Sequence, residues 1–96
     1  MGETNIDAML DERGKRYGSF QEHALISQQL KNVINCHCCN NPHGISPDQR
    51  EALEMICHKI ARIINGDPDY ADSWVDIAGY AKLVADRLDK ENAGRS

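Results

Sequence analysis

Between Ser46 and Gly66 the chain carries a helix with its start and stop both written into the sequence. Ser46-Pro47-Asp48-Gln49 joins an N-cap serine, a proline at the first helical position and a glutamine at the third. Leu53, Ile56, Ile60, Ile63 and Ile64 then recur at helical spacing, and Gly66 is a natural C-terminal stop. A second start lies upstream, where Ser19-Phe20-Gln21-Glu22 has the form of a capping box. Ile26, Leu30, Val33 and Ile34 follow it at the same period, which predicts a helix to about Ile34. After the turn Asp67-Pro68-Asp69-Tyr70, a last helix is expected from about Ala71 to Asp89. It should bury Trp74, Ile77, Ala78, Ala81, Val84 and Leu88. A short polar segment, Ile6 to Arg13, is a weakly held first helix with only Ile6, Met9 and Leu10 to bury. No segment alternates as a strand does, and no internal repeat occurs.

These signals predict an all-α domain over residues 1–96. It is a small helical bundle of three main helices plus a short N-terminal helix, with a Cys/His-rich loop at about 35–45 and a frayed tail at about 91–96. A 96-residue chain buries little surface alone, so completion of the bundle by oligomerisation is expected, with a metal staple as the lesser alternative. No apolar run approaches the roughly 18 residues of a membrane span, and Met1-Gly2-Glu3-Thr4-Asn5 has no signal-peptide character. Met1-Gly2 is a poor myristoylation match because Ile6 stands where Ser or Thr is needed. A net charge of −4, with no basic cluster longer than Arg13-Gly14-Lys15-Arg16, argues against a nucleic-acid partner.

Charged residues on the packing faces are the functional signal. At about 100° per residue, Lys59 falls inside the apolar stripe of its helix, with Arg62 beside it. An unpaired charge there is costly, so Lys59 must reach the edge, lose its charge or find an anion. Asp72 and Asp76 stack at i and i+4 near Tyr80, and like charges so placed repel. Glu22 and His23 bracket the stripe of the preceding helix. Such a set suits a divalent cation held by Glu22, Asp72 and Asp76, with Lys59 and Arg62 left for phosphate oxygens. Tyr17, His23 and Tyr80 are the other pocket candidates. The plainer reading is structural: Asp72 complements its helix dipole, and Lys59 pairs with Asp76.

The stretches His58-Lys59-Ile60-Ala61-Arg62-Ile63-Ile64-Asn65-Gly66 and Asp72-Ser73-Trp74-Val75-Asp76-Ile77-Ala78-Gly79-Tyr80 resemble a family of small phage and prophage proteins of unassigned function. Tyr17-Gly18-Ser19-Phe20 and Asp48-Gln49-Arg50-Glu51-Ala52-Leu53 are similar to that family too, so the resemblance runs from about Arg13 to Leu88. The family in turn resembles the all-α, MazG-like nucleoside triphosphate pyrophosphatases, helical oligomers that hold magnesium around nucleotide phosphates with a Glu-Glu-x-x-Glu helix and a second acidic helix. The resemblance implies a nucleotide ligand, magnesium and, if the chain is an enzyme, hydrolysis between the α- and β-phosphates. Asp72 and Asp76 match the second helix in placement, and Glu22 is the candidate remnant of the first. Gln21-Glu22-His23-Ala24-Leu25 departs from the motif, because one acid stands where the family has three.

Three expectations follow. The first is a phage accessory protein of the host cytoplasm that binds a nucleotide, with pyrophosphohydrolase activity if the acid set suffices. The second is a non-catalytic, nucleotide-sequestering protein. The third is an interaction module clipped by zinc through Cys36, Cys38, Cys39 and His43. Zinc takes four such soft ligands, but Cys-x-Cys spacing is tighter than the usual knuckle. Free thiols in this number suit a reducing compartment.

Overall fold

A computed structural model describes residues 2–94 and is built from four helices: α1 (Gly2–Tyr17), α2 (Phe20–Cys38), α3 (Pro47–Asn65) and α4 (Ala71–Gly94). There is no strand among the described residues, and no helix is long and apolar enough to cross a membrane. The two start signals are realised. Ser19 accepts the backbone N–H of Glu22 at 3.2 Å. Ser46 and Gln49 form the reciprocal box, with the Ser46 N–H donating to Gln49 Oε1 at 2.9 Å and the Gln49 N–H to Ser46 Oγ at 3.4 Å.

Three boundaries differ from expectation. α1 spans Gly2–Tyr17 rather than Ile6 to Arg13. Arg16 bonds back to Glu12 at 2.8 Å, and the Asp67 N–H donates to the Arg16 carbonyl at 2.6 Å. α2 runs past Ile34 to Cys38, so the Cys/His-rich segment is helical in its first part and turns only from Cys39. α4 continues to Gly94, held at its C-terminal half by Arg87–Glu91 pairing at 3.1 Å. The last two residues of the tail expected to fray lie outside the described residues.

α3 is the central helix. It packs against α2 on one side and α4 on the other, while α2 and α4 make no contact with each other among the described residues. The result is an open layer of three helices, with α1 touching α2 and α3 at one end. Arg87 ties α4 to the start of α3 through Asp48, 2.8 Å away, and Ser46, 2.9 Å away. The Arg87 guanidinium holds the Asp48 carboxyl down at about 2.

This layer encloses a thin core. Ala52, Cys57 and Ala61 are its buried apolar residues, and no large side chain is fully buried among the described residues. Trp74, expected inside, is 54% exposed and donates from Nε1 to the Pro68 carbonyl at 2.8 Å. Its ring covers the α3–α4 turn instead of filling the interior. Ala78 and Ala81 are likewise exposed, which follows from α4 having a neighbour on one side only.

Candidate functional site

The end of α1, the start of α2 and the last half of α3 converge because two glycines let backbones meet. Gly18 has φ +76°, and a Cβ there would overlap the Asn65 carbonyl. Gly66 lies so close to Arg16 and Tyr17 that a Cβ would collide with their backbone. Asn65 fastens this crossing, donating from Nδ2 to the carbonyls of Tyr17 at 3.0 Å and Ser19 at 2.8 Å. The sequence Tyr17-Gly18-Ser19 therefore does two tasks. It reverses the chain, and it sets the α2 N-terminus against α3.

A cavity of ≈ 370 Å³ opens at this crossing. Its walls carry Arg13, Tyr17, Phe20, His23, His58 and Arg62, and Leu10 closes one edge. Among the described residues no carboxylate lines it. Arg62 lies over the Tyr17 ring, 4.4 Å from guanidinium carbon to centroid. Tyr17 meets Tyr70 edge-on at 6.1 Å, and Arg16 lies over the Tyr70 ring at 4.3 Å. Arg13 and Arg62 have no acidic partner among the described residues. Stacking on Tyr17 orients the Arg62 guanidinium without neutralising it.

The inner wall is a histidine pair. His23, 5% exposed, and His58 stand edge to face with centroids 4.5 Å apart, and His23 Nε2 is 3.2 Å from His58 Nδ1. One nitrogen donates and the other accepts, so the contact needs at least one neutral ring. Burial lowers both, His58 to about 4, and Arg62, Lys31 and Lys59 reinforce the effect. The pair is therefore neutral near pH 7. His23 Nδ1 is buried and has no protein partner, and the same holds for Ser27 Oγ one turn along α2.

The residues expected to form the site are only partly gathered. Tyr17, His23 and Arg62 come together in the cavity wall. Lys59 does not join them. It is buried and bonded to Asp76 at 2.8 Å on the α4 side of α3, the structural pairing that was the plainer reading. Asp72 accepts from the Tyr70 hydroxyl at 2.8 Å. Glu22 is exposed on the first turn of α2, and Tyr80 is half-buried on α4 away from the cavity. Among the described residues no three His, Cys, Asp or Glu side chains are grouped to hold a metal ion. Glu22, Asp72 and Asp76 are thus not grouped around a magnesium site within one chain. Cys36, Cys38, Cys39 and His43 do not converge for zinc either. Cys36 and Cys39 are exposed, and the Cys39 thiol points to the Cys36 carbonyl at 3.9 Å.

His58, Arg13, Phe20 and Leu10 were missed from the sequence. His58 and Arg62 lie four residues apart on one face of α3, a signal in plain view once the face opposite Leu53 is considered. Nothing local marks Arg13 or Phe20, which reach the site through the Gly18 reversal.

No curated protein and no solved structure matches the chain. A family model described as a domain of unknown function, DUF6378, matches residues 3–88. That span holds all four helices up to Leu88 and every residue of the cavity, so the chain belongs to the DUF6378 family.

Proposed function

We propose that this protein binds a small phosphorylated aromatic ligand, a nucleotide in the simplest case, in the cavity between α1, α2 and α3, and that it holds the ligand without turning it over. The observation that carries this reading is the cavity's charge. Among the described residues, two arginines without acidic partners border a concave space lined by no carboxylate, in a chain whose net charge is −4. A volume of ≈ 370 Å³ lies within the range of about 300–1,000 Å³ usual for small-molecule sites.

The chemistry divides by position. Arg62, oriented by Tyr17, and Arg13 supply charged, forked donors for phosphate oxygens. The first turn of α2 adds the positive end of its dipole at Gly18-Ser19-Phe20. Phe20, 79% exposed, offers a flat apolar face for a base. The neutral His23–His58 pair contributes a ring nitrogen for a polar edge of the ligand. Sequestration is favoured over hydrolysis because Glu22 lies apart from Asp72 and Asp76, and those two are engaged by Tyr70 and Lys59. The resemblance to phage and prophage proteins and the four free cysteines support placing this binding in a reducing host cytoplasm.

The test is thermal unfolding against canonical and cyclic nucleotides, with and without magnesium, each sample then analysed for product. A ligand at ~100 times its Kd adds about 2.7 kcal/mol of stability. Stabilisation with the ligand recovered intact supports the reading. Stabilisation with a pyrophosphate product replaces sequestration by hydrolysis, and no shift with any nucleotide removes the proposal.

A further inference from the structure

The side of α3 that faces away from His58 and Arg62 carries Leu53, Ile56, Ile60 and Ile64, which fall within about 80° of one another on the helix. Leu53 is 39% exposed and Ile64 65%. Ala81 and Val84 of α4 continue the same surface, and with Leu53, Ile56 and Ile45 they line an apolar groove of ≈ 500 Å³. α2 and α4 do not close over it, because each packs on α3 and the two do not meet among the described residues.

We propose that a second copy of this chain covers this face, making the protein a dimer joined through α3 and α4. Two quantities favour a second copy as the occupant. A compact chain of 96 residues has a radius of gyration of about 12.5 Å, whereas this one measures 16.7 Å with extents of 56 × 27 × 27 Å. A folded monomer of 10.8 kDa exposes about 5,500 Å², whereas this chain exposes 7058 Å². The surplus of about 1,500 Å² exceeds the ~800 Å² that each partner contributes to a standard stable interface. The stripe itself bears no charge. Two copies, each of net charge −4, can therefore meet there with their charges held at the rim. A two-fold contact needs one self-complementary patch, and a row of branched aliphatic side chains that runs into a groove lined in part by Ala52 and Ala81 places protrusion and recess on the same surface. The face lies on the opposite side of α3 from the arginine-lined cavity, so the dimer stands or falls independently of ligand binding.

Sedimentation equilibrium on the full chain should give twice the 10.8 kDa protomer mass. The melting midpoint should rise with protein concentration, as dissociation-coupled unfolding requires. Leu53→Lys and Ile64→Lys should each raise the dimer dissociation constant at least 100-fold, whereas Ile6→Lys on exposed α1 should not change it. If the lysine variants fail to fold, the concentration dependence of the wild-type midpoint decides alone. A monomeric mass with a concentration-independent midpoint overturns the proposal. So does a dimer broken by Ile6→Lys and untouched by Leu53→Lys.

Discussion

Replacing Asp76 by Asn should cost far more stability than its half-exposed position suggests. Lys59 is 8% exposed and its Nζ lies 2.8 Å from Asp76 Oδ2, while the Asp76 side chain is 47% exposed. Removing one partner of a fully buried pair costs about 3–5 kcal/mol, because the other charge is left in low dielectric. An exposed pair contributes at most about 1 kcal/mol. Here the cation is inside and the anion half in water, so Asp76→Asn should lose about 2 kcal/mol. For a domain of this size that is a fall of roughly 8–16 °C in Tm. The reverse change differs. Lys59→Met leaves a carboxylate that water can solvate and fills the volume of the lysine stem, so its loss should stay below about 1 kcal/mol. The double variant should then recover most of what Asp76→Asn alone loses. Urea denaturation of the four proteins, followed by circular dichroism, gives the cycle directly. If Asp76→Asn lies within about 0.5 kcal/mol of wild type, or if Lys59→Met proves the costlier change, the assignment of Lys59 as a structural cation is wrong.

Three other outcomes are expected. Arg62→Ala and Arg13→Ala should each weaken nucleotide binding by about 10- to 150-fold, the 1.5–3 kcal/mol of a charge-assisted hydrogen bond, with unchanged helicity; calorimetric titration reads both. Acid should destabilise the fold through the histidine pair. His58 is depressed to about 4 when folded, against an ordinary value near 6.5, so below pH 6.5 the unfolded chain takes up the proton first. Stability present above pH 6.5 should be lost as pH falls towards 4, and His58→Gln should flatten that part of the Tm profile. Gly18→Ala should lower stability by about 1–3 kcal/mol, since φ +76° is strained for any L side chain and the new methyl would meet Asn65; thermal unfolding checks it.

How much of this was legible in the sequence differs by element. The starts of α2 and α3 were readable because Ser19 and Ser46 act within their own helices. Lys59 stood out because a charge inside an apolar stripe must be answered; its pairing with Asp76 was the plainer alternative to the phosphate and metal roles that the sequence suggested for the two. The length of α1 was not readable. Its apolar residues are few, and its last turn is held by Asp67 and Asn65, about fifty residues away in sequence. The site was half legible for the same reason. Tyr17, His23 and Arg62 announce themselves by residue type, but the His23–His58 contact joins positions 35 residues apart. The acids went the other way. Glu22, Asp72 and Asp76 suggested a common metal by placement on helix faces, yet α2 and α4 lie on opposite sides of α3, which keeps Glu22 from the other two.

The central claim, a ligand site at the α1–α2 reversal, is tested most directly by backbone amide chemical-shift mapping during a nucleotide titration. Saturable changes are expected at Tyr17, Gly18, Phe20, His23, His58 and Arg62, with Ala81 and Val84 on the other face unmoved. Changes confined to Cys36–His43, or none at all, would contradict it.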